Sequence, residues 1–394
     1  MRFPLFAALS LLLATPAMAD WSQTLAEAKG QTVYFNAWGG DARTNAFIAW
    51  VSTQTEAQFG VKVEQVKLTD TAEAVTRVVA EKAAGQDQGG SVDMIWINGP
   101  NFLAMKEQGL LHGPFVASLP NAQYLDLGPA SAATVDFTVP VDGMESPWRL
   151  AKFVFSYDSA KVSETPETMA GFVDWAAAHK GRMTHPDPSN FIGATFLKQT
   201  LIELAPDPAA LQQPVTDAAF AAATAPLWAW YDALRPNLWQ AGASFPASAE
   251  VQDQMLNDGE VDISMSFDPA STAAAIKAGS LPDTARVFVP KAGSIGNISF
   301  VAIPYNAAHQ AGAEVVANFL LDPATQAHMQ NIEVLGSFAV LDAGKLDAAA
   351  QAEFAALPTA PALPALADLG PVLLEPHASW MTRLVAEWAQ RYTK

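Results

Sequence analysis

The sequence predicts an α/β fold arranged as two lobes, and three observations lead there. Strand-like and helix-like segments alternate as β-α-β-α-β between Thr32 and Gly99, the pattern of a parallel sheet covered by helices. A second unit of the same kind begins after Pro147. The chain has 394 residues, of which 375 lie beyond a leader-like start, and half of all residues are hydrophobic, more than one compact core usually holds.

The elements follow in order. TVYFN (Thr32 to Asn36) reads as a short buried strand that breaks at Ala37-Trp38-Gly39-Gly40, before a helical pattern starting at Asp41 or Arg43. GVKVEQVKL (Gly60 to Leu68) alternates as a second strand, TAEAVTRVVAEKAA (Thr71 to Ala84) has helical spacing, and VDMIWING (Val92 to Gly99) is a third strand. NFLAMKEQGLL is a short helix, and residues 112–145 are turn-rich. WRLAKFVFSY (Trp148 to Tyr157) has β character, and ETPETMAGFVDWAAAHKG opens with a capping pattern and continues as an amphipathic helix. GRMTHPDPSNFIGATFLKQTLIEL gives a strand, a Pro-rich turn and a long helix. Residues Leu204 to Thr224 read as an exposed connection, with helical spacing resuming from Leu227 to Leu238. A helix and a strand ending at Phe267 come next, then extended segments over 287–303 broken by Gly293 and Gly296. AEVVANFLLDPATQAHMQ is two helices parted by Asp322-Pro323, and an Ala- and Pro-rich tail from Lys345 leads to a final amphipathic helix, EPHASWMTRLVAEWAQRY. No repeat of fixed period occurs.

MRFPLFAALSLLLATPAMA has the parts of a cleavable export signal: Arg2, an apolar run from Leu5 to Ala14, and small residues at Ala17 and Ala19. A cut after Ala19 would start the mature chain at Asp20. The apolar run is short of the ~20 residues that span a bilayer, and no later segment reaches that length without charges, prolines or glycines. The chain has no cysteine, so the cut offers no lipid attachment, and disulfides and thiolate sites are excluded. A free periplasmic monomer is expected, with no membrane insertion. The net charge of -18 argues against nucleic acids and anionic lipid surfaces as partners.

Five stretches resemble a known family: VDMIWINGPNFLAMKEQGLL, GRMTHPDPSNFIGATFL, LNDGEVDISMSFDP, GNISFVAIPYNAAH and AEVVANFLLDPATQAHM. In order and spacing they resemble the solute-binding proteins of bacterial ABC importers, in the branch of thiamine, polyamine and ferric-iron receptors. The match is looser over 112–145, 204–224 and 345–368. The resemblance implies the periplasmic binding protein type II fold, each lobe a mostly parallel sheet flanked by helices, joined by hinge strands near Pro147 to Tyr157 and Gly296 to Tyr305. It divides the chain into a signal peptide (1–19), lobe one (20–146 and 302–345), lobe two (147–301) and C-terminal helices (346–394). It implies a small-molecule ligand in the cleft and, as partners, an inner-membrane ABC permease and its ATPase. No cofactor and no metal are implied: the iron receptors use adjacent tyrosines, and this chain has six tyrosines and no Tyr-Tyr pair.

In open parallel sheets, ligands sit at the carboxyl ends of strands, where loops converge. That rule selects Trp38, Gly39, Gly40 and Asp41 after the first strand, and Asn98 and Asn101 after the third. In lobe two it selects Ser189 and Asn190 in HPDPSN and Asp268 after SMSF; the second crossing offers Asn297, Ser299 and Tyr305. Trp148 and Trp239 complete the set. Each has a plainer reading. Gly39-Gly40 can be a tight turn, Ser189, Asn190 and Asp268 can be helix caps, and Trp148 and Trp239 can be core. Trp96, Trp175, Trp228 and Trp388 read as core. Tryptophan faces beside a carboxylate suit a cation, so a thiamine-like or other amine ligand is one expectation. Loop amides at 39–41 and 189–191 suit a carboxylate, phosphonate or sulfate, and an anionic solute or a sugar is the other.

Catalytic patterns are lacking. GxSxG, HExxH and SxxK do not occur, and His112, His179, His185, His309, His328 and His377 are scattered with no HxH or HxxxH spacing. A binding protein is expected, with a periplasmic hydrolase as the rival class.

Overall fold

The computed structural model describes residues 21–128 and 131–393, so the leader and the expected cut after Ala19 lie outside the described residues. After α1 (Trp21–Ala28) come β1 (Thr32–Trp38), α2 (Ala42–Phe59), β2 (Lys62–Leu68), α3 (Ala72–Ala83), β3 (Met94–Ile97) and α4 (Pro100–Glu107). β1 lies between β2 and β3 and runs parallel to both. Strand alternation then sorts the side chains between two faces. Val33, Phe35, Ala37 and Met94 share one cluster with Phe47, Ile48 and Val51 of α2. Ile95 and Ile97 share the other with Val75 and Val78 of α3 and Phe102 and Met105 of α4. Burying each such large side chain is worth about 1.5–3 kcal/mol, so this two-sided cover is what holds the sheet. The turn-rich stretch holds the small hairpin of β4 (Val135–Asp136) and β5 (Val139–Pro140), and leads to β6 (Glu145–Lys152).

One residue, Phe153, separates β6 from β7 (Val154–Asp158), which belongs to a second sheet. There follow α5 (Gly171–Ala178), α6 (Phe191–Leu204), α7 (Asp217–Leu234), α8 (Ala249–Asn257), β8 (Ile263–Ser266), α9 (Ser271–Lys277) and β9 (Ala285–Phe288). β7 pairs antiparallel with β8 on one side and β9 on the other. The expected mostly parallel sheet is therefore found in the first lobe and not among these three strands. β7 enters from the first lobe and lies between β8 and β9, which are joined through α9 and run in the same direction as each other, against β7. A parallel bridge between Met183 and Ile263 extends the sheet beyond β8. A large aromatic core covers it, with Phe155, Phe172 and Phe196 against Trp230 and Tyr231.

The expected connection over 204–224 is half helix. Thr216 caps α7 through its side chain, and Phe220, Ala223, Thr224 and Leu227 are buried at helical spacing. Alanine has the highest helix propensity, and the Ala-rich stretch reads as linker only when its buried face is overlooked. The helix continues through an interior Pro226.

β10 (Ser294–Ala302) returns to the first sheet, antiparallel to both β3 and β6. α10 (Gln310–Leu320), α11 (Pro323–Gln330), α12 (Ala348–Ala355), β11 (Val372–Leu373) and α13 (Ala378–Tyr392) complete the chain. Asp322 caps α11 with Pro323 in its first turn, the start that Asp-Pro predicts. Trp380, Leu384 and Trp388 of α13 are buried in the second lobe's core, whereas Ala378 belongs to a first-lobe cluster. The segment before α13 is fastened to both hinge strands. Lys152 Nζ donates to the carbonyls of Leu369, Gly370 and Pro371 at 2.7, 2.7 and 3.0 Å. Lys198 Nζ on α6 meets both oxygens of Glu375 at 2.8–2.9 Å, and Asn297 Nδ2 on β10 donates to the same carboxylate at 3.2 Å. Among the described residues no helix is long and apolar enough to cross a membrane.

Candidate ligand cleft

The carboxyl ends of β1 and β3, the start of β10 and the carboxyl end of β8 meet between the two sheets. The loop after β1 is shaped by its glycines. A Cβ at Gly40 would lie 2.3 Å from the Trp38 ring, so only glycine lets that ring lie across the turn. The Gly39 N–H is taken by the Leu68 carbonyl at 2.9 Å. Asp41 is the N-cap of α2, accepting from Arg43 N, Thr44 N and the Thr44 hydroxyl at 3.1, 3.1 and 2.6 Å. Burial works to raise its pKa, but those hydrogen bonds and the charge of Arg43 outweigh burial and hold the carboxyl below its ordinary value.

Arg43 links the two halves of the molecule. Its Nη1 donates to the Leu335 carbonyl at 2.9 Å, and its Nη2 lies 3.3 Å from Asp268 Oδ2 at the end of β8. Asp268 also accepts from Ala270 N at 3.1 Å, a turn ahead of α9 rather than the expected helix cap, since Ala270 is the N-cap and has no side-chain bond. Behind this pair stands Arg149 on β6, opposite Ser299 of β10. Its guanidinium lies 4.5 Å from the Trp96 ring and 5.0 Å from that of Trp148, and its Nε is 3.5 Å from Ser299 Oγ. Burial holds its pKa below the usual arginine value, with Asp268 and Asp41 opposing. Trp38 and Trp96 meet edge to face at 6.5 Å, and both are half-buried.

Of the expected residues, Trp38, Gly39, Gly40, Asp41, Asp268 and Ser299 thus come together, joined by Arg43, Arg149 and Trp96. The others are placed elsewhere or already engaged. Trp148 is 1% exposed and stacked on Phe47 at 6.2 Å, so it is core. Asn98 donates to the Ile298 carbonyl and to Asp136, whose carboxyl burial pushes up to about 7. Asn101 is half-buried in the first turn of α4. Ser189 folds back onto Asp187, and Asn190 caps α6 by accepting from Ile192 N. Trp239 packs on the outer cluster of Met255, Leu256 and Leu281. Asn297 is held by Glu375. Tyr305 reaches Asp87 at the far end of the sheet, with Lys82 over its ring. Because β10 is antiparallel to β3, its start faces the cleft and its end points away from it. His185 is fully buried between Phe196 and Phe245 and bonded to Tyr231 Oη, and burial lowers its pKa to about 4, as befits a neutral core histidine.

Arg43 and Arg149 were the residues that sequence reasoning passed over. For Arg149 the signal was present: an arginine and a lysine set among the apolar residues of the strand-like run WRLAKFVF are costly choices unless they have a task.

Comparison with known proteins gives one answer. Residues 49–362 match the model of a family described as bacterial extracellular solute-binding protein. Protein YnjB of Escherichia coli (strain K12) is 42% identical over 385 residues, covering 98% of this chain and 97% of that protein. Among solved structures, the fold resembles the periplasmic binding protein AfuA of Actinobacillus pleuropneumoniae, with fructose-6-phosphate bound (TM-score 0.63, 14% identity, 92% of this chain and 99% of that one). It also resembles a putative spermidine/putrescine ABC transporter protein of Listeria monocytogenes (TM-score 0.62, 18% identity, 92% and 98%). Iron-bound HitA of Pseudomonas aeruginosa is similar as well (TM-score 0.62, 15% identity, 90% and 98%).

Proposed function

Because the chain belongs to the family of bacterial extracellular solute-binding proteins, a family of binders and not of enzymes, we propose that it is a periplasmic receptor of an ABC importer. It captures a small organic solute between its lobes and delivers it to an inner-membrane permease and its ATPase. The observation that carries this reading is the Arg43–Asp268 contact, which joins the loop after β1 to the loop after β8 at 3.3 Å beside Trp38 and Arg149. A solute held there touches both lobes, and so stabilises the closed arrangement over the open one by its differential contacts. A thiamine-like amine is a second reading, favoured by the half-buried faces of Trp38 and Trp96. The structural relatives name cargoes of both signs: a sugar phosphate, polyamines and iron.

A thermal-shift screen over vitamins, amines, phosphonates, sugars, amino acids and organic acids tests the reading. A solute at a hundred times its Kd stabilises by about 2.7 kcal/mol, so one class is expected to raise the melting temperature by several degrees. No shift from any class, or turnover of a hit, would overturn it.

A further inference from the structure

The charged groups of the cleft differ in how far their hydrogen-bonding capacity is already used. Asp41 Oδ1 accepts from Arg43 N, and Oδ2 accepts from Thr44 N and the Thr44 hydroxyl. Asp268 Oδ1 accepts from Ala270 N, and Oδ2 faces Arg43. Arg43 gives one terminal nitrogen to Leu335 and the other to Asp268. Arg149 is the exception. Its Nε reaches Ser299 Oγ at 3.5 Å, the outer limit of a hydrogen bond, and among the described residues neither of its Nη atoms meets an acceptor. No carboxylate among them lies within ion-pair distance of it either. Resting on the receptor reading above, we infer that the cleft takes a small organic oxyanion, gripped by the terminal nitrogens of Arg149.

The surroundings suit that task. A guanidinium is planar and offers a two-pronged donor edge that matches carboxylate and phosphoryl oxygens. The Arg149 guanidinium carbon lies over the Trp96 ring at 4.5 Å, a contact that uses none of the donors. β6 and β10 fix its base, being paired on both sides of the one register shift at Trp148. Trp38, half-buried beside Trp96, offers a ring to the organic body of the ligand. An amine would fare worse, since it would face an unpaired arginine while the Asp268 carboxylate is already shared by Arg43 and Ala270. Asp41 and Asp268 favour the charged form of Arg149 from a distance, and Arg43 offsets their repulsion of an anion.

The test uses the mature protein and matched probes that share one body, aromatic or aliphatic, and differ in one group: carboxylate, phosphate monoester, primary amide or primary amine. Calorimetry is expected to find an acid-bearing member that binds at least about thirtyfold more tightly than its amide and amine counterparts. The carboxylate and phosphate arms identify which oxyanion is preferred. Arg149→Gln should lose the same factor for the acid and little for the amide, while the ligand-free protein stays folded with a melting temperature within a few degrees of the parent, because no ion pair is broken. Arg149→Lys should recover part of the loss. Equal affinity for acid and amide, or undiminished acid binding by Arg149→Gln, overturns the inference. Should Arg149→Gln fail to fold, the acid–amide comparison on the unmutated protein decides. Tight binding of amines, weakened by Asp268→Asn, would sink the oxyanion and leave the receptor standing; no binding of any probe or screen compound would sink both.

Discussion

Lys198→Met is expected to lower the unfolding free energy by about 3–5 kcal/mol, because it strands Glu375 as an unpaired buried charge. Lys198 and Glu375 are 0% and 3% exposed in their side chains, and both carboxylate oxygens lie within 2.9 Å of Nζ. Burial pushes Glu375 up and Lys198 down, each towards its neutral form, and their mutual attraction opposes both shifts. The pair also joins parts distant in sequence, since α6 belongs to the second lobe and Asn297, the third member, sits on β10. Replacing both partners with apolar residues, Lys198→Met with Glu375→Leu, should cost less than Lys198→Met alone, because no charge is left without a counterion. Urea unfolding at pH 7 measures all three proteins. A single variant within about 1 kcal/mol of the parent would show that the contact is not a structural tie.

Trp148→Ala should cost about 3–5 kcal/mol, the range for truncating a large aromatic in a packed core. Its ring is 1% exposed, stacked on Phe47 at 6.2 Å and edge-on to Trp96 at 5.3 Å. Trp38→Ala should do the reverse. The half-buried ring at the end of β1 supports little of the core, so stability is expected to change by less than about 1.5 kcal/mol while solute affinity falls at least about tenfold. Unfolding curves and calorimetric titrations of the two variants separate core from cleft. The assignment fails if Trp148→Ala leaves stability intact, or if Trp38→Ala binds as well as the parent.

These two tryptophans show what was legible in the sequence. Trp38 follows a short apolar strand and precedes two glycines, a local pattern sufficient to place it. Trp148 depends on register. The pairing of β6 with β10 shifts between Ser299 and Phe300, so the strand's alternation slips at Trp148 and the ring enters the core. No pattern of apolar and polar residues marks such a bulge. The order of strands and helices to Ile97 was likewise local, as were the Asp41 and Asp322 caps. The direction of β10 was not, and with it went Tyr305, assigned to a strand end that faces away from the cleft. Arg43 and Arg149 escaped for a related reason: an arginine's value depends on the partners around it, and those partners come from α2, β6, β8 and β10 together. Glu375 stands at the start of the segment read as the final helix, and the strap before it in the stretch read only as a tail; their role was not legible because an ion pair between residues 177 positions apart has no local signature.

The central claim is that two lobes close over a solute held at Trp38 and Arg149, beside the Arg43–Asp268 contact. Small-angle X-ray scattering of the mature protein, before and after saturation with the tightest compound from the screen, tests it most directly. A fall in the radius of gyration is predicted, with the liganded curve matching the structure described here, in which Arg43 reaches Asp268. An unchanged curve with the ligand demonstrably bound would contradict it.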